Sequence, residues 1–186
     1  MKSDHLREFA EFCDRNLEPF TEFMGDRMPD GYLTALASYR GRFEPLSERI
    51  LCGRNLTLTH GDSHFWNFLY PTGSTGRVKI IDWQSYGVGV GAMDLAYMVA
   101  MHWFPSRRKD HEIPLLRHYH GQLLANGVSG YSFDDLMLDY RWSILERLYV
   151  PLWQWSAKVP ASVWVGHMER ILRAFEDLEC MELLGF

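Results

Sequence analysis

His60-Gly61-Asp62-Ser63-His64-Phe65-Trp66-Asn67, followed by Lys79-Ile80-Ile81-Asp82-Trp83, is the stretch that decides how this 186-residue chain folds. Leu56 to Thr59 alternates apolar and polar residues, as a short strand does. Asn67 to Tyr70 and Val78 to Ile81 read as two further strands, and Pro71-Thr72-Gly73-Ser74-Thr75-Gly76 between them is dense in turn formers. A hairpin there folds Asp82 back beside Asn67. Two residues distant in sequence then face one ion.

Asp62 and Asn67 stand in a D-x-x-x-x-N spacing, and Asp82 closes the next apolar run. That order matches the catalytic loop and metal-binding aspartate of phosphoryl-transfer sites. Such a transfer asks little covalent help of a protein. It needs the hydroxyl aimed at phosphorus, its proton accepted, and the phosphate charge neutralised. A carboxylate can accept and align a hydroxyl, so Asp62 reads as the base. Mg²⁺ prefers a few hard oxygen ligands, so Asn67 and Asp82 read as metal ligands. His60 reads as a secondary catalytic residue that orients the loop. Either half alone also suits a turn, where Asp, Asn and Gly are common. Both halves in order, joined by a hairpin, are much harder to produce by chance.

With those residues in hand, the chain resembles the aminoglycoside phosphotransferase and choline kinase group of small-molecule kinases. His60-Gly61-Asp62 with Asn67 is similar to that group's catalytic loop, and Ile81-Asp82-Trp83-Gln84 to its metal-binding segment. The Gln after the aromatic also resembles the ecdysteroid-kinase-like branch. Gly91 to Tyr97 resembles the segment that follows, in which an aspartate before Leu-Ala opens a buried helix. The resemblance implies that Asp94 braces the catalytic loop; a plain helix N-cap is the compatible bland role. It further implies ATP and Mg²⁺ as cofactors and a small-molecule hydroxyl as acceptor. It runs from Leu56 to Trp103; outside that span only helical character matches.

The same resemblance implies an N-terminal sheet lobe that grips ATP. Fifty-nine residues precede His60, with no G-x-G-x-x-G and no Val-Ala-Ile-Lys-like strand. The expected architecture is therefore mainly α with a small β patch: a kinase-like C-terminal lobe, a helical bundle around a catalytic-loop hairpin, the β-sheet lobe absent. Its parts are a helical lead-in over 1–55, the loop, hairpin and metal segment over 56–91, and a helical subdomain over 92–186. A truncated, inactive chain, or a non-catalytic remnant that binds a small molecule or a partner, is the alternative this leaves open. The face that the missing lobe would cover favours a homodimer.

Hydrophobic content of 47% argues for one folded domain. A net charge of −5 gives no reason to expect nucleic-acid binding. Cys13, Cys52 and Cys180 are odd in number and scattered, as reduced thiols are. Neither a signal peptide nor an uncharged apolar run long enough to cross a bilayer is evident, so no membrane is expected and the default location is the cytoplasm.

Helical spacing runs from Asp4 to Met24, with Pro19 placed to kink or split it. Pro29 starts a second helix over about 30–39, and a third stretch spans Leu46 to Leu51. After the β patch, helices are expected over 94–103, 106–126, from Ser132-Phe133-Asp134-Asp135 (a capping box) to at least Tyr149, and 161–184. Pro151 bends or ends the third of these.

Three other patterns compete. Gly87-Val88-Gly89-Val90-Gly91-Ala92 nearly spells a dinucleotide fingerprint but lacks the βαβ unit it requires. His60, Asp62 and His64 form H-x-D-x-H, which suits a zinc-dependent hydrolase given a further ligand from His102, His118 or His120. Trp142, Trp153, Trp155 and Trp164 crowd the C-terminal helices; they suit a cation cage or, more simply, an aromatic core. Trp142, Glu146 and Asp139, on one helix, are the expected substrate contacts, with a solvated helix face as the plain alternative.

Overall fold

The structure is a computed structural model, and it describes residues 3–40, 52–73 and 75–185. The expected stretch from Leu46 to Leu51 lies outside the described residues. Helix α1 spans Ser3–Met24 and continues through Pro19 instead of splitting there. Pro19 and Arg15, whose carbonyl the proline leaves without its helical donor, are both exposed, so solvent can satisfy the freed group. Helix α2 spans Tyr32–Arg40.

Four short strands follow: β1 Leu56–Thr59, β2 Phe68–Leu69, β3 Lys79–Ile80 and β4 Gly87–Val90. Strands β2 and β3 form the expected antiparallel hairpin, with Phe68 opposite Ile80. Strand β4 was not expected. It pairs antiparallel with β1, Leu56 opposite Val90 and Thr59 opposite Gly87. Its Gly-Val-Gly-Val sequence carries side chains on one face only, which hides the period-2 signal. A Cβ on Gly89 would lie 2.9 Å from Met93 Sδ, whereas one on Gly87 would meet nothing closer than 4.0 Å. An antiparallel β1–β4 pair also disposes of the dinucleotide reading, which requires parallel strands.

Helix α3 opens at Ala92–Leu95 and widens to π-helix over Ala96–Met101. Helices α4 (Pro105–Ala125), α5 (Phe133–Arg147), α6 (Val150–Ser156) and α7 (Ala161–Asp177) complete the bundle. Ser132 caps α5 as expected: its Oγ accepts from the Asp135 N–H at 3.0 Å, and Asp135 accepts from the Ser132 N–H at 2.8 Å. Pro151 falls in the first turn of α6, where its missing N–H costs nothing. The last expected helix stops at Asp177. Glu179 adopts a left-handed φ of 52°, and a 3₁₀ turn Cys180–Leu184 follows.

The core lies among α3, α5 and α7, with Ala96, Ala100, Tyr140, Ile144 and Ile171 fully buried. A buried ionic cluster ties α4, α5 and α7 together. Arg108 bonds Glu112 at 2.7 Å and also Asp177, while the Tyr140 hydroxyl donates to Glu112 at 2.8 Å. The three cysteines are thiols, Cys13 and Cys180 buried. Among the described residues, no helix is long and apolar enough to cross a membrane.

Candidate active site

Three residues of the catalytic-type loop hang on one carboxylate segment of α3. Asp94 accepts the His60 N–H at 2.6 Å through Oδ2 and the Gly61 N–H at 2.9 Å through Oδ1. The Ser63 hydroxyl donates to the Asp94 carbonyl at 2.8 Å. Asp94 sits in the first helical turn, with Gly91 at the cap position, so its side chain reaches the loop instead of capping its own helix. Gly61 adopts φ +80°, and a Cβ there would meet the Ser85 carbonyl oxygen at 2.2 Å. Only glycine fits that crossing.

His60 is buried and fully engaged. Its Nδ1 accepts the Asp62 N–H at 3.2 Å, so its Nε2 carries the proton and donates to the Ile81 carbonyl at 2.8 Å. The ring thus joins the loop to the strand that delivers Asp82, and it packs 4.8 Å from the Trp83 ring. This corrects the zinc reading: neither nitrogen of His60 is available to a metal. Among the described residues, no group of three or more His, Cys, Asp or Glu is placed to hold one. His120 likewise has its Nε2 bonded to the Tyr131 carbonyl at 2.8 Å.

Asn67 is buried, and its amide Nδ2 donates to the Asp62 carbonyl at 2.9 Å and to Asp62 Oδ2 at 3.3 Å. That leaves Asn67 Oδ1 as an acceptor or ligand. The Ile81 N–H bonds the Asn67 carbonyl at 3.0 Å, so Asp82 follows directly on the residue paired to Asn67. Asp82 is exposed and left-handed, φ 63° and ψ 54°. A non-glycine residue there carries strain on the order of 1–2 kcal/mol. An amide oxygen and an exposed carboxylate on paired segments are donor types that fit Mg²⁺, which keeps most of its shell from water and phosphate.

The sequence did not single out Tyr97 and Arg147. Tyr97 lines the same cavity as Asp62. Burial, then the nearby Asp62 carboxylate, pushes the pKa of its hydroxyl well up, so it stays protonated. Tyr97 lies on the π-helical turn of α3, a local widening often found at functional sites. The Arg147 guanidinium lies 5.3 Å over the Tyr97 ring. Burial works against its charge, but Glu146, Tyr149, Tyr97 and Asp94 more than offset that and hold its pKa raised. The Gly-Ala-Met-Asp-Leu-Ala-Tyr run was the available signal for Tyr97. Nothing in the sequence around Arg147 marked it.

A cavity of about 640 Å³ opens beside Asp62, lined also by Gln84, Tyr97, Arg147, Tyr149 and Trp153. On the other side of the loop a second cavity of about 620 Å³ is walled mainly by aromatic and aliphatic side chains, Phe65, Phe68 and Trp103 among them. The expected substrate contacts Trp142, Glu146 and Asp139 line neither. Asp139 is 1% exposed and accepts the Tyr131 hydroxyl at 2.8 Å; Trp142 packs on the core. From α5 it is Arg147 that reaches the cavity, because the helix turns the other three elsewhere. The tryptophans form no cage there: Trp164 is buried against Phe20, Trp155 packs at 5.3 Å on Phe20, and Trp153 lines the cavity.

A loop braced by a helical aspartate, an Asp–Asn pair and a hairpin-borne Asp on a mainly helical lobe define the class: a kinase-like C-terminal fold. A family model described as the ecdysteroid kinase-like family matches residues 1–127, and the chain belongs to that family of protein-kinase-like small-molecule kinases. The match reaches past the expected Leu56 to Trp103 and takes in α1 and α2. It falls on the branch that Gln84 resembles, while the likeness to aminoglycoside and choline kinases stays a resemblance. No curated protein and no solved structure matches the chain.

Proposed function

We propose that this chain phosphorylates the hydroxyl of a small molecule with ATP, with Asp62 as the group that receives the acceptor hydroxyl. The supporting observation is the way Asp62 is held. Its carboxylate accepts from Asn67, its N–H is bonded by His60, and it borders a cavity large enough for a small-molecule acceptor. A carboxylate held by Asn67 on a loop pinned by Asp94 is oriented before any substrate arrives, which is the positioning that phosphoryl transfer depends on.

Asn67 and Asp82 would hold Mg²⁺, which with ATP bound supplies neutralisation of the phosphate charge. Asp62 accepts the hydrogen bond of the acceptor hydroxyl, aligns its oxygen, and takes its proton as that oxygen bonds to the γ-phosphorus of ATP and the bond from phosphorus to the ADP leaving group breaks. Asp94 and His60 are positioning residues: they hold the loop and touch no substrate.

Calorimetric titration with Mg²⁺-ATP should give saturable binding. Asp62→Ala and Asp82→Ala should each lower phosphotransfer by about 10²–10⁴-fold with the fold intact. Retained turnover in either variant rejects the assignment. Acceptor binding without any nucleotide binding would identify a non-catalytic binding module instead.

The chain further forms a homodimer through the β patch. Leu58 and Val88 face each other across β1–β4, 57% and 66% exposed, near Tyr86 at 65%. Light scattering that returns a monomer at working concentration rejects this.

A further inference from the structure

Arg147 is the one cation lining the cavity beside Asp62 among its described lining residues. It is 8% exposed, and its Nε is buried with no hydrogen-bond partner. The Glu146 carboxylate lies 4.0 Å from the guanidinium, too far for a hydrogen bond, and does not line the cavity. The charge is balanced by its acidic surroundings, but a buried N–H left without an acceptor is costly, and a planar oxyanion is the group whose geometry matches a guanidinium fork. The other acids of the cavity are placed differently. Asp62 already accepts from Asn67, and Glu8 is exposed. The remaining wall, Phe12, Tyr149, Val150 and Trp153, is apolar or aromatic.

We propose that this cavity takes an alcohol with an apolar body and a carboxylate-type oxyanion at its far end, bound by Arg147, and that it disfavours cationic alcohols. The alcohol half rests on the reading of Asp62 given above; the oxyanion half rests on Arg147 alone. A cationic acceptor would have to enter beside a buried guanidinium in a medium less polar than water, where like charges repel most strongly.

The test uses three probes of nearly one shape: 4-(hydroxymethyl)benzoate, 4-(hydroxymethyl)benzamide and 4-(aminomethyl)benzyl alcohol. Each is titrated calorimetrically into the full chain without nucleotide. The carboxylate should bind at least about tenfold more tightly than the ammonium probe, with the amide between them. Arg147→Met should erase that ranking, and Arg147→Lys should keep part of it, since lysine retains the charge without the fork. Equal or tighter binding of the ammonium probe, no binding of the carboxylate, or an unchanged ranking in Arg147→Met overturns the proposal. Should Arg147→Met not fold, the wild-type ranking and Arg147→Lys decide alone. Phosphotransfer from Mg²⁺-ATP is assayed separately. A ranking that holds without phosphotransfer rejects the kinase reading and keeps the oxyanion site; phosphotransfer without the ranking does the reverse.

Discussion

In the β patch, Leu58, Trp66, Leu69, Tyr70, Tyr86 and Val88 are at least half exposed, whereas in α5 and the residues after it Leu136, Tyr140, Ile144, Leu145 and Leu148 are fully buried. One part of the molecule is held by apolar packing and the other is not. The patch is instead tied down by polar contacts: Asp94 on the loop backbone, His60 on the Ile81 carbonyl, and two short ladders. A region fixed this way contributes geometry more than stability. That division suits a site whose carboxylate must be aimed and reachable, on a scaffold that must not move.

If the contrast is right, variants of the bundle should lower stability and spare the site, and variants of the patch should do the opposite. The largest stability effect is expected from Arg108→Met. It strands Glu112 in the interior, where burial already raises that carboxyl's pKa against the pull of Arg108 and Tyr140. Breaking a buried pair costs about 3–5 kcal/mol, read in a denaturant titration; a loss below about 1 kcal/mol would show that the cluster does not hold α4, α5 and α7 together. Phosphotransfer per folded molecule should be unchanged.

Acid should act on the bundle next. Burial first, then neighbouring positive charge, depresses His102 to about 4 and His167 to about 3, their rings 4.6 Å apart. The unfolded chain binds these protons near pH 6.5 and the native chain does not. Their contribution is therefore complete above pH 6.5 and is lost as pH falls towards 4. It is on the order of 2–3 kcal/mol for His102. Thermal unfolding followed from pH 7 to pH 4.5 should show the drop, and His167→Gln should flatten it. A flat profile in the parent protein would mean that these rings are solvated.

Asp94→Ala tests the seam between the two regions. It removes the acceptor of two backbone N–H groups, at about 1–3 kcal/mol in stability. Displacing the loop by a fraction of its hydrogen-bond length should cost roughly 10²-fold in turnover. Loss of stability without loss of turnover would make Asp94 merely structural. The smallest effect is expected from the double variant Leu58→Thr, Val88→Thr. These exposed side chains face solvent, so monomer stability should move by less than about 0.5 kcal/mol. A larger fall would mean that this face is covered, and in the dimer proposed above it should appear as a change in mass by light scattering.

Much of the site was legible because its chemistry lies in contiguous sequence. Asp62 and Asn67 are bound by one tight loop, and the turn-rich segment after Tyr70 forces a hairpin that returns Ile81 to Asn67. Helices α4, α5 and α7 were legible from period and caps, with Ser132 and Asp135 the clearest case, whereas α6 was not expected as a helix of its own. Strand β4 was not, because glycine erases the alternation by which a strand is recognised. Nor was the break at Glu179, since an acidic residue gives no local sign of a left-handed turn. The cavity-facing side of α5 was not legible for a different reason. Trp142, Glu146 and Asp139 are on the helix, but which residue reaches the cavity depends on how α5 rotates against α3.

Sequence alone marked out the proposed set, His60, Asp62, Asn67, Asp82 and Asp94, and the helical character around it, because spacing and turn chemistry act within a few residues. Tertiary structure alone decided that Tyr97 and Asp62 line one cavity, that both His60 nitrogens are engaged, and that Arg147 reaches that cavity. Those contacts join elements far apart along the chain. They exist only once the bundle has closed, and the packing that closes it leaves no local mark on the residues it brings together.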